Sequence, residues 1–312
     1  MLTLAVLLTI QQTLQSLRAV HVGEDDTIVQ PAARTLLRTA KDELREVAVA
    51  SLRNQPADAT AAAARLREAL RLPEVAETPY GGLTTEVTTH GDAIALLASF
   101  DIPCGNDAAL FLFRHDGRAW KLVLDRERND YDTIAGAAGS LAFAVSSPDA
   151  NGSLLVISID INPWCTSAWQ TIRWRVDRAG RDHSTLVTQQ RDTIYLGDDD
   201  LAIAVRPTGF SIEYSTHSAD LGRLSYKRLL HYAVDPENHL VRIKPMARTA
   251  VDAVDEWLRQ RHDHPFGEYE EPVRLPQGKW RIKLVMDDGS KRTFIVREKK
   301  GEFRVLTETR CC

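Results

Sequence analysis

The sequence predicts a mainly β protein with flanking helices, an α+β fold, on three observations. Residues 31–72 carry apolar side chains at helical spacing, whereas Leu83 to about Met246 alternates β-branched and aromatic runs with turn sequences. A further segment of helical period and a final strand meander follow. The predicted divisions are a first segment at 1–22, a helical hairpin at 23–78, a β-repeat domain at 79–246 and a small α+β domain at 247–312.

The composition is that of a folded, slightly acidic protein. The 312 residues include 39 Lys and Arg against 43 Asp and Glu, which gives a formal charge of −4. An acidic chain without dense basic blocks argues against a general nucleic-acid-binding protein. No apolar run approaches about 18 residues, so we expect no transmembrane segment. A 44% hydrophobic content excludes the collagen-like and disordered classes.

The first ten residues, Met1–Ile10, form an apolar run about as long as the core of a signal peptide. No Lys or Arg precedes the run, and the only cleavage-like sequence is a poor one near Ala19. The alternative is a first helix that packs its leucines against the core. We favour export, because a start codon assigned too late would remove the basic residues that normally precede such a run.

A helical hairpin is predicted next. Apolar residues recur at steps of three and four between Pro31 and Asn54, and Pro31 suits a first helical turn. Gln55-Pro56 then interrupts the pattern. Asp58 is placed to cap a second helix over 59–72, which Pro73 ends.

The β-region contains a repeated pattern: an aromatic residue, two further residues, and an Asp that enters a turn. The three copies are Phe113–Asp116, Trp174–Asp177 and Tyr232–Asp235. Cys104 and Cys165 each precede the aromatic residue of their copy by nine positions. The pattern indicates three tandem units.

Each unit is predicted to hold four antiparallel strands. The expected strands are 83–89, 93–100, 109–115 and 118–126, then 139–146, 153–161, 169–177 and 184–190, then 200–206, 209–216, 226–234 and 239–245. Four short strands per repeat are typical of a propeller blade, so the region resembles a β-propeller in architecture, with three blades. No WD-type or kelch-type motif accompanies it. An irregular β-sandwich built from hairpins is the alternative.

The C-terminal segment is predicted to combine a helix with a meander. A helix is expected from Arg248 to about Arg261, followed by a polar loop to Gly278. The three strands of the meander are expected at Lys279–Met286, Lys291–Arg297 and Glu302–Thr307, with one apolar face that needs a helix to cover it.

The four cysteines allow three complete pairings. Cys311 and Cys312 are adjacent, so a link from this tail to the body of the protein is more plausible than a bond between them. No C-x-x-C pair is present, which argues against a structural zinc site. We expect an exported form with disulfide bonds; the alternative is a cytoplasmic protein with four reduced thiols.

The predicted ligand-binding residues are Trp164, Trp169, Cys104 and Cys165. They belong to loops at matching positions of the first and second units, and exposed tryptophans stack on sugar rings or anchor a protein partner. The alternative is that these tryptophans fill the core. We predict that the four residues lie on one ligand-facing edge.

Two groups of residues have the side chains of a metal site. His262, His264 and Glu268 are reasonable ligands for a divalent ion, although no H-E-x-x-H helix supports them and a solvated acidic loop is the alternative. The acidic stretch from Asp125 to Asp132 is similar to a calcium loop, but it contains interleaved arginines and no glycine. A charged loop between strands is therefore favoured for this stretch.

No complete catalytic set is present. The sequence lacks a P-loop, a G-x-G-x-x-G and a G-x-S-x-G, and no cofactor is expected. The predicted function is therefore non-catalytic binding or scaffolding, in the periplasm or outside the cell, with a protein or carbohydrate ligand. The alternative is a hydrolase or lyase, for example one that acts on glycans, whose carboxylates or histidines come from separate loops.

Overall fold

The structure is a computed structural model of the 312-residue chain. It describes residues 2–22, 29–71, 80–103, 105–127, 141–164, 167–195, 201–217, 225–242, 249–261, 263, 267–286, 288–299 and 302–311. The chain separates into two compact units, residues 1–192 and 193–312. In the described part of the chain, no helix combines the length and the apolar character that a membrane crossing requires.

Three helices open the first unit. They are α1 (Leu2–Arg18), α2 (Pro31–Leu52) and α3 (Ala59–Ala69). The predicted helical hairpin is confirmed in α2 and α3: Pro31 begins α2, and Asp58 caps α3 by accepting from the backbone N–H groups of Thr60 and Ala61. In α1, Ile10, Leu14 and Leu17 are buried, as the first-helix interpretation expects. Export stays a prediction.

The first unit continues with two meanders. Sheet A contains β1 (Leu83–His90), β2 (Ala93–Ile102), β3 (Gly105–His115) and β4 (Trp120–Glu127). Sheet B contains β5 (Leu141–Val145), β6 (Leu154–Trp164), β7 (Ser167–Ala179) and β8 (Ser184–Tyr195). In each sheet the strands are neighbours in the order in which they occur along the chain.

The third meander and a C-terminal sheet follow. Sheet C contains β9 (Ala202–Arg206), β10 (Gly209–His217), β11 (Ser225–Val234) and β12 (Leu240–Arg242). After α4 (Ala250–Arg259), sheet D contains β13 (Gly267–Tyr269), β14 (Val273–Leu275), β15 (Lys279–Met286), β16 (Lys291–Lys299) and β17 (Glu302–Cys311). All twelve predicted repeat strands are present, so the mainly β fold of three blade-like four-stranded meanders is confirmed.

Two details of the prediction differ from the structure. The predicted polar loop before Gly278 contains β13 and β14, which extend the C-terminal meander to five strands on the other side of β15. Asp177 does not enter a turn, because β7 continues to Ala179, and the carboxylate is buried beside Arg175. The aromatic residues Phe113, Trp174 and Tyr232 all lie on the third strand of their meander, but Trp174 lies farther from its turn than the other two.

Sheet A is covered on both faces. Helices α2 and α3 pack on one face, with α1 against α2, and sheet B packs on the other. The central strands β2 and β3 therefore contribute to both cores: Ile94, Leu96, Phe100, Phe111 and Phe113 face the helices, while Ala93, Ala95, Leu110 and Leu112 face sheet B. This burial explains why both strands are nearly continuous apolar runs rather than alternating ones.

Sheet D carries its own core with α4. Thr249 and Asp252 form a capping box that begins the helix. Val251, Val254 and Leu258 pack on alternate residues of β15 and β16, including Ile282 and Phe294. The predicted pairing of this helix with the meander is confirmed.

Candidate functional site

Sheets A and B pack with equivalent turns at the same edge, as the contacts of Arg114 show. This fully buried residue lies near the end of β3. Its Nη1 donates to the carbonyl oxygen of Gly152, before β6, at 2.6 Å and to that of Ala179, the last residue of β7, at 3.2 Å. The first and third turns of both sheets therefore share an edge. We call it the turn edge; its turns are 91–92, 116–119, 146–153 and 180–183.

Ion pairs link residues of the turns at the turn edge. Arg114 Nη2 donates to both carboxylate oxygens of Asp92, at 2.7 and 2.6 Å. Lys121 Nζ lies 2.8 Å from Asp182 Oδ1 of sheet B and 2.8 Å from Asp116 Oδ2 of its own sheet. Lys121 and two backbone N–H groups of the turn lower the pKa of Asp116, and the two carboxylates raise the pKa of Lys121 to about 12. Ion pairs therefore link the turns of the two sheets at this edge.

The opposite edge carries the second connection of each meander, and we call it the hairpin edge. It is defined by the β2–β3 and β6–β7 connections. The last register pairs there are Ile102 with Gly105 in sheet A and Trp164 with Ser167 in sheet B. Because consecutive antiparallel connections lie at opposite ends of a sheet, both hairpins lie away from the turn edge.

The four predicted ligand residues belong to the hairpin edge by their place in the chain. Cys104 and Cys165 fall in the two connections and lie outside the described residues. Trp164 ends β6 and Trp169 lies near the start of β7, but their side chains lie outside the described part. Ligand contact by these residues stays a prediction, as does any disulfide bond.

The β6–β7 hairpin carries Trp164 at its end. The strand β5 pairs with β6 from Val156 to Asp160, whereas β6 continues to Trp164 paired with β7. The residues before Leu141, which would continue this register beyond Asp160, lie outside the described part of the chain.

The stretch that is similar to a calcium loop begins with two carboxylates that contact an arginine. Asp125 and Glu127 lie on one face of β4 and accept from Nη1 of Arg45, on α2, at 3.0 and 2.8 Å. Burial raises the pKa of Glu127, and Asp125 raises it further, while Arg45 opposes both effects. Residues 129–132 lie outside the described part. Such a carboxylate beside a second one suits general acid–base chemistry.

Other buried charges of the first unit form ion pairs within the scaffold. They are Lys41 with Asp107 at 3.0 Å between α2 and β3, Arg126 with Asp160 at 2.6 Å between β4 and β6, and Arg175 with Asp177 at 2.7 Å within β7. Lys41 and Asp107 are completely shielded from solvent. These pairs connect layers of the unit, and their charges neutralise one another.

The predicted metal ligands are not brought together by described residues. His262 and His264 lie outside the described part of the chain. Glu268 lies in β13 opposite Val285, but its side chain is not described. Metal binding by these three residues stays a prediction.

A different carboxylate and imidazole group lies in the β11–β12 turn. Asp235, Glu237 and His239 bring one ligand atom each to within 4.8 Å of one another. The backbone N–H of His239 donates to Asp235 at 2.7 Å, and this bond is the main cause of a lowered Asp235 pKa. The His239 Nδ1 lies 2.9 Å from the same carboxylate. The sequence identified this segment as a turn, and its internal hydrogen bonds are those of a turn.

Comparison with known proteins gives no family for this chain. No protein-family model matches it, and no curated protein matches it.

Several solved structures are similar at a low level. An α-L-arabinofuranosidase from Fusarium graminearum has 8% identity, a TM-score of 0.30 and coverage of 74% of this chain and 66% of its own. A Bombyx mori β-fructofuranosidase has 11% identity, a TM-score of 0.28 and coverage of 74% and 51%. A Penicillium chrysogenum α-L-arabinanase has 12% identity, a TM-score of 0.27 and coverage of 74% and 66%. The chain spans 51 to 66% of the length of these three proteins, and the similarity gives no argument about its activity.

Proposed function

We propose that the protein is a non-catalytic binding or scaffolding protein that acts in the periplasm or outside the cell. Its hairpin edge contacts the ligand, and a carbohydrate is the ligand class tested below. The observation that carries this proposal is the difference between the two edges of sheets A and B. Ion pairs link the turns of the turn edge, whereas the hairpin edge carries the β6–β7 hairpin with Trp164 at its end.

The scaffold beneath the hairpin edge supports this role. Sheet A is packed on both faces, and the buried charges described above are neutralised within the unit. Binding loops carried by a rigid framework lose less conformational entropy when they bind. An aromatic ring at the end of such a hairpin can stack on a sugar ring.

The test uses cellohexaose, xylohexaose and maltohexaose in calorimetric titrations of the full chain. Wild type should bind at least one of them, and Trp164→Ala should weaken that binding by about tenfold without lowering the melting temperature. The matched control is Trp120→Phe, which removes the hydrogen bond from Nε1 to Pro56 at 2.9 Å. This control should lower the melting temperature and leave affinity unchanged. If none of the three sugars binds, or if Trp164→Ala loses affinity and melting temperature together, the proposal is wrong.

The hydrolase alternative is supported by the raised pKa of Glu127 beside Asp125. The same mixtures therefore also serve to detect catalysis, by chromatography of the sugars after incubation. Release of shorter sugars by wild type, abolished in Glu127→Gln, would replace the binding proposal with a glycan hydrolase. Unchanged sugars would leave Glu127 as a partner of Arg45 only.

A further inference from the structure

The open face of sheet D is rich in basic side chains. Alternate residues of β15 and β16 pack under α4, so the intervening residues form the opposite face. The basic residues of that face include Lys279, Arg281, Lys283, Lys291, Arg297 and Arg304. These six are exposed or half-buried. The face therefore presents positive charge in a chain whose net charge is negative.

Three of these cations form a row across three adjacent strands. Lys279 of β15 lies directly opposite Arg297 of β16, and Arg297 lies directly opposite Arg304 of β17. Neighbouring strands are about 4.8 Å apart, and like charges in directly opposite positions destabilise a sheet. An anion that binds across the row would relieve this repulsion.

The row has few anionic partners of its own. In the described part of the chain, Lys279 and Arg297 have no ion-pair partner, and Arg304 has only Glu302 at 3.9 Å. The side chains of Arg304 and Glu302 are 72% and 54% exposed, so solvent screens this pair. The positive charge of the row is therefore available to a ligand.

Elsewhere on this face, two lysines are neutralised by a carboxylate, whereas one arginine has a shielded nitrogen atom without a hydrogen-bond partner in the described part of the chain. Lys283 and Lys291 both contact Glu270, at 2.9 and 3.3 Å, and are neutralised by it. Arg281 lies two residues from Lys279 on the same strand, and its Nε is shielded from solvent without a hydrogen-bond partner among the described residues. The unneutralised charge is thus concentrated around Lys279, Arg281, Arg297 and Arg304.

We propose that this face binds a linear polysaccharide that carries carboxylate groups, a polyuronate. Planar guanidinium groups match carboxylates with two parallel hydrogen bonds, and two residues of the row are arginines. Thr293, Thr307 and Thr309 lie on the same face, where their hydroxyls can bond to sugar hydroxyls. Cations in one row beside neutral hydroxyls suit one anionic group per sugar better than a more heavily charged sulfated chain.

Single-stranded nucleic acid fits this face less well. Proteins that bind it stack bases on aromatic side chains. The aromatic residues of these strands, Trp280, Phe294 and Phe303, pack on the α4 side instead. The described part of the open face therefore has positive charge but no aromatic ring on which a base could stack.

The test titrates polygalacturonate into the full chain at low salt. Wild type should bind, and added salt should weaken binding, since screening reduces the attraction between exposed charges. Lys279→Ser/Arg297→Ser should bind at least about tenfold more weakly, with an unchanged or higher melting temperature because the like-charge contact is removed. The matched control, Arg118→Ser/Arg181→Ser, removes the same charge from exposed turns of the first unit and should stay within about twofold of wild type.

Four outcomes would overturn the proposal: no binding by wild type, an unchanged affinity in the double variant, an equal loss in the control, or equally tight binding of dextran sulfate or single-stranded DNA at matched charge concentration. Arg304→Glu, on the exposed strand β17, is a second variant that should also lose affinity. Trp164→Ala should leave polygalacturonate binding unchanged. The inference is therefore tested separately from the proposed function at the hairpin edge.

Discussion

Replacement of Arg114 by methionine tests how strongly the first two meanders are joined. The substitution removes four hydrogen bonds, two to backbone carbonyls of sheet B and two to Asp92. It keeps a long apolar stem in the same place. Any loss of stability therefore reports on the guanidinium group rather than on a cavity.

The expected loss is about 3 kcal/mol. Breaking a buried charge pair from one side costs about 3 to 5 kcal/mol, and each carbonyl left unpaired in the interior costs about 1 to 3. The lower end applies because the side chain of Asp92 is 34% exposed and regains water, as does the half-buried Gly152. The fully buried Ala179 carbonyl does not.

The assay is urea unfolding followed by tryptophan fluorescence and circular dichroism. A loss of about 3 kcal/mol should move the midpoint down by about 1 M or more. Arg118→Met, an exposed residue of the neighbouring turn, should stay within about 0.5 kcal/mol of wild type. The unfolding midpoint of Arg114→Lys should lie between those of Arg114→Met and Arg118→Met, because lysine keeps the positive charge but lacks the planar guanidinium group. Equal midpoints for Arg114→Met and Arg118→Met would refute the role given to this residue.

Two further predictions concern the helices. Burial, with help from nearby acids, raises the pKa of Glu43 above its ordinary value of 4.5, so its contribution to stability is full at low pH and is lost as pH rises through the raised pKa. Glu43→Gln should therefore raise the melting temperature at pH 7 and flatten its decline from acid pH, whereas the exposed control Glu46→Gln should not. Asp58→Ala should cost about 1 kcal/mol in urea unfolding, because Thr60 and Ala61 lose their cap; an unchanged midpoint would contradict this.

The meanders are predictable because their turns have a local chemistry. Gly117 and Gly152 adopt positive φ angles of 97° and 76°, a conformation that glycine reaches without strain. Their dipeptides, Asp116-Gly117 and Asn151-Gly152, therefore mark turns in the sequence itself. The prediction of a turn at Asp177 is wrong. An Asp inside a strand and an Asp that enters a turn cannot be told apart from the sequence pattern alone, and β7 continues to Ala179. Only the position of Arg175 two residues earlier on the same face explains the burial of Asp177.

The features that depend on tertiary structure could not be predicted. Arg114 contacts carbonyls 38 and 65 positions along the chain, and a single arginine in a strand gives no sign of such partners. The row of Lys279, Arg297 and Arg304 depends on strand register, which a bulge near Ile295 shifts. The short strands β13 and β14 pair over three residues each, too few for a visible alternation.

The two-sided burial of sheet A has a consequence for the modularity of the chain. A fragment that stopped after the first meander, at residue 127, would expose the sheet face that normally packs on sheet B. It would also leave Arg114 without its two carbonyl acceptors. The first meander is therefore not expected to fold as an independent domain. Truncating the protein one repeat at a time should give a fragment that aggregates through the exposed apolar face, rather than a smaller folded domain.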